Sequence, residues 1–541
     1  MHFYLMRVAI TCILSVQHVR AWTLHKAESP NGDNKVVNTN HIFNAIHSAM
    51  RQWGSSLNHN GMSFFLATVP AGTQFYHGTH TDQAIVGMEW LAFEPEHAIN
   101  FARGRPPGKH PKPPPLAEDA ESPSTHHHRP PPFDSREGEI VLPDTRPRRF
   151  GPGDRQEPIG GRGCSQRNRD KSSEQDPEAP PEAPAAGWLH TYRTNKDLHF
   201  LYVDGTSAGK TDKGTLDSQD YLLLNSSSTE GRGVFWEGER AKGLCELAEK
   251  RWSNKIQGII RMEAGFEIIM CSFEQNLEFL YAVRAGHHEP GRDGGDQMVW
   301  WIKAITARYD GIGGNRVQLD YDNFVTLFSY DFDLFRGQEL PRLQNLSASS
   351  LDLVRADVDA MVQGWRPAPS SGATNWQAIA DMIVERYAKS LKYLVSGVFS
   401  DITDLHSELD RMVRTFIDSD APNATAEAER CAIQFLPSTY ATSLAGRVVH
   451  DITSQICSTL CTALRTDELT EAIQHLESLI TYLDWTTWKQ CQGCELNEIC
   501  FIPIWPVGSA EDRENPQCLN SSAIASRRGY WGGFGPHRGR D

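Results

Sequence analysis

A histidine, a glycine and a threonine close one short apolar run, Phe75-Tyr-His-Gly-Thr79, and a glutamate stands at the head of another, Glu267-Ile-Ile-Met-Cys271. Where a strand ends in glycine, a ligand can approach the backbone, and His77 and Thr79 offer polar groups beside it. A fixed carboxylate such as Glu267 is what a transition state with growing positive charge requires, as when a glycosidic bond breaks. Glu263 is the second choice for that role, and as a pair at four-residue spacing the two could also be read as glycosidase carboxylates. On a strand-turn-strand they need not face one another, so that pairing does not follow.

Three other patterns fall short of the chemistry they evoke. Gly205-Thr-Ser-Ala-Gly-Lys-Thr211 follows an apolar strand, but only three residues separate its glycines where a nucleotide loop needs four. Asp310, Asp320, Asp322, Asp331 and Asp333 are dense, yet the segment lacks the loop glycine and terminal glutamate of an EF-hand, which favours a solvated acidic face. No Gly-x-Ser-x-Gly elbow is present.

The strand Tyr76-His-Gly-Thr79, followed by Ala98-Ile-Asn-Phe101 and then Glu267, resembles the ADP-ribosyltransferase superfamily in both motif type and order. The resemblance implies NAD as co-substrate, clamped by the backbone of Gly78 with Thr79 beside it. His77 would bond the adjacent ribose, Phe101 would stack where the family usually has tyrosine, and Glu267 would assist departure of the ribosyl group. Setting aside an 84-residue insertion, His77 and Glu267 are about 106 residues apart, a length comparable with the catalytic core of that superfamily. The chain also resembles secreted proteins of filamentous fungi that carry no assigned activity, through Glu89-Trp-Leu-Ala-Phe-Glu-Pro-Glu-His-Ala98 and Ile260-Arg-Met-Glu-Ala-Gly-Phe-Glu-Ile-Ile269. That second resemblance implies location more than function.

Export is also legible in the residues. A positive start through Arg7, the apolar stretch 8–16 and a small residue at Ala21 fit a signal peptide over 1–21. Seven of the eleven cysteines lie after residue 430, the mark of a disulfide-stapled segment in an exported chain. Cys457 and Cys461 share a helix face and are placed to be pinned by the loop that carries Cys491, Cys494, Cys500 and Cys518. A zinc site or a redox pair at Cys491-Gln-Gly-Cys494 is the rival, but no matching partner follows at zinc spacing. Asn225, Asn345, Asn423 and Asn520 sit in glycosylation sequons that matter only if the chain is exported.

The elements that must position these residues are unevenly spread over 541 residues, enough for about three domains. Residues 104–187 hold eighteen of the 31 prolines and no periodic apolar face, so this insertion is expected to be disordered; its His126-His-His128 is an incidental tract rather than a metal site. Around it, 22–103 and 188–340 read as one α+β domain with a mixed sheet, with strands near 63–69, 73–76, 198–203, 258–262, 266–271 and 324–330. Helices are expected at 94–103, 241–252 and 300–309. A connector over 341–372 leads to a helical, cysteine-rich bundle over 373–518, and 519–541 is expected to be a disordered tail. The formal charge of −15 argues against nucleic acid or anionic lipid as partner, and beyond the N-terminus no apolar run is long enough to span a membrane. Two functions remain in view. One is NAD cleavage with ADP-ribose transfer to an unidentified protein acceptor or to water. The other is a secreted, non-catalytic protein that binds an unidentified protein partner.

Overall fold

In a computed structural model the described residues are 36–103, 187–226, 237–286, 294–366 and 373–532. They belong to one compact unit. The expected signal peptide, nearly all of the proline-rich insertion and residues 533–541 lie outside them.

Nine strands form one mixed sheet. In chain order they are β1 (Asn60–Val69), β2 (Gln74–Thr79), β3 (Glu89–Ala92), β4 (Trp188–Thr194), β5 (Leu198–Gly205), β6 (Gly258–Met262), β7 (Phe266–Met270), β8 (Leu277–Arg284) and β9 (Gln318–Thr326). Their spatial order is β8-β4-β2-β3-β7-β6-β5-β1-β9. Only β5 and β6 run parallel, joined by a long crossover that carries the helix Glu237–Lys250; every other neighbouring pair is antiparallel. β1, β5, β6 and β7 are buried almost throughout, which explains why they read as continuous apolar runs rather than as alternating ones.

The helices are α1 (Thr39–Ser48), α2 (Gln52–Leu57), α3 (Pro95–Ala98), α4 (Glu237–Lys250), α5 (Phe273–Asn276) and α6 (Gly294–Thr306). A second group follows the sheet: α7 (Ala348–Gly364), α8 (Trp376–Leu394), α9 (Ile402–Val413), α10 (Ala424–Ala432), α11 (Leu444–Leu464) and α12 (Leu469–Leu483). The architecture is α+β, with a helical region after the sheet. One apolar cluster runs through both, from Phe64 and Ile260 in the strands to Ile456 and Leu479 in the helices. Among the described residues no helix is long and apolar enough to cross a membrane.

Three expectations change. The stretch 341–372 is not merely a connector: α7 occupies most of it, capped by Ser347 and buried through Leu351, Val354, Val358 and Val362. Asp and Arg between these positions hid the apolar face. Residues 519–532 are not a disordered tail. Trp531, 2% exposed, donates its indole N–H to the Val507 carbonyl, and the Tyr530 hydroxyl meets the His59 ring. The helix expected over 94–103 is only one turn, α3, followed by a 3₁₀ turn at Ile99–Phe101.

The cysteines are paired as Cys245–Cys271, Cys431–Cys457, Cys491–Cys500 and Cys494–Cys518. Thus Cys457 is held by α10 rather than by the 491–518 loop, and Cys461 keeps a buried free thiol. Cys491 and Cys494 go to different partners, so they form no redox pair. Their sulfurs, together with that of Cys518, lie close enough to suggest a metal but are spent on disulfides.

Candidate functional site

Strand register decides which of the expected site residues can meet. Tyr76 lies opposite Ala92, Ala92 opposite Glu267, and Glu267 opposite Arg261, so these four form one row across β2, β3, β7 and β6. Residues directly opposite one another share a face, and successive residues alternate. Gly78 therefore faces the same side as Glu267, whereas His77 and Thr79 face the other.

On its own face His77 is enclosed by aromatic rings. Its Nδ1–H donates to the Trp90 carbonyl at 2.7 Å, and its ring meets Phe273 at 5.6 Å and His190 at 6.2 Å. Burial pushes it down to about 4, so the ring is neutral at pH 7. Thr79 is likewise buried, at the end of β2. His77 thus has its ring nitrogen satisfied within the fold, and it lies on the opposite face of the sheet from Glu267, whereas the family resemblance implied that both would meet NAD.

On the other face Gly78 is roofed by α3 and the turn after it. A Cβ at this position would stand 2.1 Å from the Ala98 carbonyl oxygen and 2.7 Å from the Ala102 nitrogen. The glycine is needed for close packing of backbone on backbone. Phe101, 53% exposed, stands beside this roof with its ring edge-on to His97 at 5.8 Å.

Glu267 lies in a buried polar centre that the motifs did not reveal. Its Oε1 accepts from Arg261 Nε at 2.9 Å, and its Oε2 is 3.9 Å from His97 Nε2. Arg261, fully buried, also bonds Gln219 at 2.9 Å and Glu237; Arg240 ties Glu237 to Asp220, and Lys210 pairs with Glu263. Gln219 and Asp220 come from a π-helical turn, Ser218–Leu223. Lys210 is the lysine of the loop that had looked like a phosphate binder, and its ammonium serves this ion pair.

The electrostatics split the two glutamates. Burial alone would raise Glu267, but Arg261, with His97 and Lys210, outweighs it and holds the carboxyl at about 2. Glu263 is raised, because burial outweighs the pull of Lys210 and Glu267 adds like charge. Three cations, Lys210, Arg240 and Arg261, face four carboxylates, Asp220, Glu237, Glu263 and Glu267.

His97, Glu263 and Glu267 bring a nitrogen and two oxygens within 4.8 Å of one another, the geometry of a metal ligand set. Trp301 Nε1 donates to His97 Nδ1 at 3.3 Å, with the two rings stacked, which leaves Nε2 as the ring atom on the Glu267 side. Lys210 and Arg261 already neutralise the carboxylates. His97 was within reach of sequence reasoning, in the quoted string ending at Ala98, but nothing in its spacing linked it to Glu267.

The sequon asparagines Asn225, Asn345, Asn423 and Asn520 are all exposed. The Asn423 and Asn520 side chains cap helices through Oδ1.

Residues 33–289 match the family described as the YPL277C N-terminal domain, a stretch that includes β1 to β8 and the glutamates of the polar centre. The chain is 30% identical over 250 residues to the Saccharomyces cerevisiae protein YPL277C, covering 45% of this chain and 42% of that protein. It is 30% identical over 252 residues to YOR389W of the same yeast, covering 45% of this chain and 33% of that one. Both relatives are named as uncharacterized, and the chain spans less than half the length of either. No solved structure matches. In its first half the chain is therefore similar to an N-terminal domain of yeast proteins of unassigned function.

Proposed function

We propose that this chain is a secreted, disulfide-braced binding protein without NAD-cleaving activity, whose α+β region carries the motif order of an ADP-ribosyltransferase but uses those residues for structure. One observation carries this reading. Glu267 is 4% exposed, with one oxygen on Arg261 and the other toward His97, so a ribose hydroxyl cannot reach it without breaking a buried ion pair. The roof over Gly78 and the placement of His77 on the opposite face agree with it. The four disulfides fit an oxidising compartment, and the exposed sequons fit the same route.

The test is NAD consumption by protein purified from a secreting host, followed by release of nicotinamide. The expected result is the same background for wild type and for Glu267→Gln. Nicotinamide released by wild type and lost in Glu267→Gln would restore the transferase reading.

A further inference from the structure

His97 Nε2 is buried and has no hydrogen-bond partner among the described residues. It stands 3.9 Å from Glu267 Oε2, too far to donate to it. Orphaned polar atoms of this kind are uncommon in folded proteins, and an ion that belongs beside them is one explanation. An oxygen of Glu263 completes a triangle in which every pair of atoms lies within 4.8 Å. We propose that His97 Nε2, Glu263 and Glu267 together hold one zinc ion.

The sheet brings these ligands in from three elements. His97 belongs to α3, Glu267 stands near the start of β7, and Glu263 lies in the turn between β6 and β7, where its N–H donates to the Gly265 carbonyl at 3.0 Å. The His97 ring is fixed by Phe101 at 5.8 Å and by Trp301 at 5.9 Å. Arg261 and Lys210 hold the two carboxylates, each through Oε1, and Glu267 keeps Oε2 toward the imidazole. Ligating side chains are commonly oriented by such supporting partners.

The donor set selects the metal. One imidazole nitrogen and two carboxylate oxygens are the three protein ligands that zinc accepts with water as the fourth. Calcium takes about six to eight oxygens, and magnesium demands an octahedron of oxygens, so three donors that include a nitrogen suit neither. Ligands about 2.0–2.2 Å from one zinc can stand up to about 4.4 Å apart, a span that contains the 3.9 Å between His97 and Glu267. Coordination through Nε2 places the ring proton on Nδ1, and the half-buried Trp301 then turns its N–H from that atom to water.

Charge supports a cation. Lys210 and Arg261 neutralise Glu263 and Glu267, and Arg240 meets Asp220, yet Glu237 leaves the buried centre with more carboxylates than cations. Unmatched buried charge is costly, and a zinc ion carrying hydroxide, a form reached near neutral pH, removes the excess. A single ion needs no groove, since it can be taken up as the chain folds. The site rests on reading Glu267 as a structural group, but zinc content and nicotinamide release are measured apart, so either can fail alone.

The test is metal analysis of the full, oxidised chain, purified from a secreting host without a polyhistidine tag. About one equivalent of zinc should survive dialysis. Its removal by a chelator should lower the melting temperature, and zinc should restore it where magnesium and calcium do not. His97→Phe keeps a ring beside Trp301 and removes the ligand; it should weaken zinc binding by more than about a hundredfold, beyond the loss of a supporting contact. Glu263→Gln should also weaken binding, and it decides the matter if His97→Phe does not fold. If neither variant folds, the chelator result on wild type decides. Replacing His126, His127 and His128 by alanine should leave the bound equivalent in place. Wild type that takes up no zinc, a melting temperature indifferent to the chelator, zinc that leaves with the 126–128 tract, or folded site variants that bind as wild type would each overturn the proposal.

Discussion

Arg261 faces Glu267 across β6 and β7, its Nε 2.9 Å from the carboxylate, with none of the guanidinium reaching solvent. Breaking such a pair from one side leaves a buried charge uncompensated. Arg261→Met should therefore cost about 3–5 kcal/mol in urea denaturation, and Arg261→Met with Glu267→Leu should recover part of that loss. Additive losses in the double variant would show that the two side chains do not act as a pair.

Gly78 carries a steric requirement. An alanine Cβ would press on the Ala98 carbonyl, so Gly78→Ala should lower stability by about 1–3 kcal/mol through overpacking. A neutral substitution, read by thermal melting, would mean that the turn after α3 is free to lift and that the strand end is open to ligands.

Mild acid should weaken the fold through its buried histidines. Burial holds His47 and His77 at about 4 and His59 at about 3, against 6.5 for a solvated ring. All three are lowered, so the stabilisation they give is present above pH 6.5 and is lost as pH falls toward 4, where the unfolded chain takes up protons that the folded one refuses. At pH 5 the loss is about 2 kcal/mol per histidine. Glu267 adds to it in the lower window from 4.5 toward 2, while Asp204, raised by burial to about 7, and the raised Glu263 oppose it, Asp204 offsetting about one histidine between pH 7 and 5. Urea midpoints at pH 7 and pH 5 give the check, and equal midpoints would contradict the buried, neutral state of these rings.

The cysteine pairing is open to peptide mapping without reduction. The expected cross-links are Cys245–Cys271, Cys431–Cys457, Cys491–Cys500 and Cys494–Cys518, and the Cys461 thiol should react with an alkylating reagent only after denaturation. A link from Cys457 to the 491–518 loop would contradict the fold of α10 against α11.

Much of the sheet was legible because β6 and β7 are bounded by turn residues and are apolar throughout, so their limits could be read to within a residue. β4, with its two exposed or half-buried ends, and the edge strand β8, whose Tyr281 and Val283 face outward, carry no such signal. α7 was hidden by charged residues, two of which, Arg355 and Asp357, are buried because they bond the Tyr221 and Leu222 carbonyls and the Tyr330 hydroxyl. At the site, sequence could find Glu267 but not its surroundings. Arg261, Lys210, Gln219 and Glu237 reach it from β6, a loop, a π-turn and α4, and only register and crossover bring them together. The alternation of faces along β2, which separates His77 from Glu267, follows from pairing partners that local pattern cannot supply.

The central claim is that Glu267 holds the fold and does not hold NAD. Its most direct test is thermal melting of wild type and Glu267→Gln, each with and without millimolar NAD. The account predicts a markedly lower melting temperature for Glu267→Gln and no response to NAD in either protein. A Glu267→Gln variant as stable as wild type, with wild type stabilised by NAD, would contradict it.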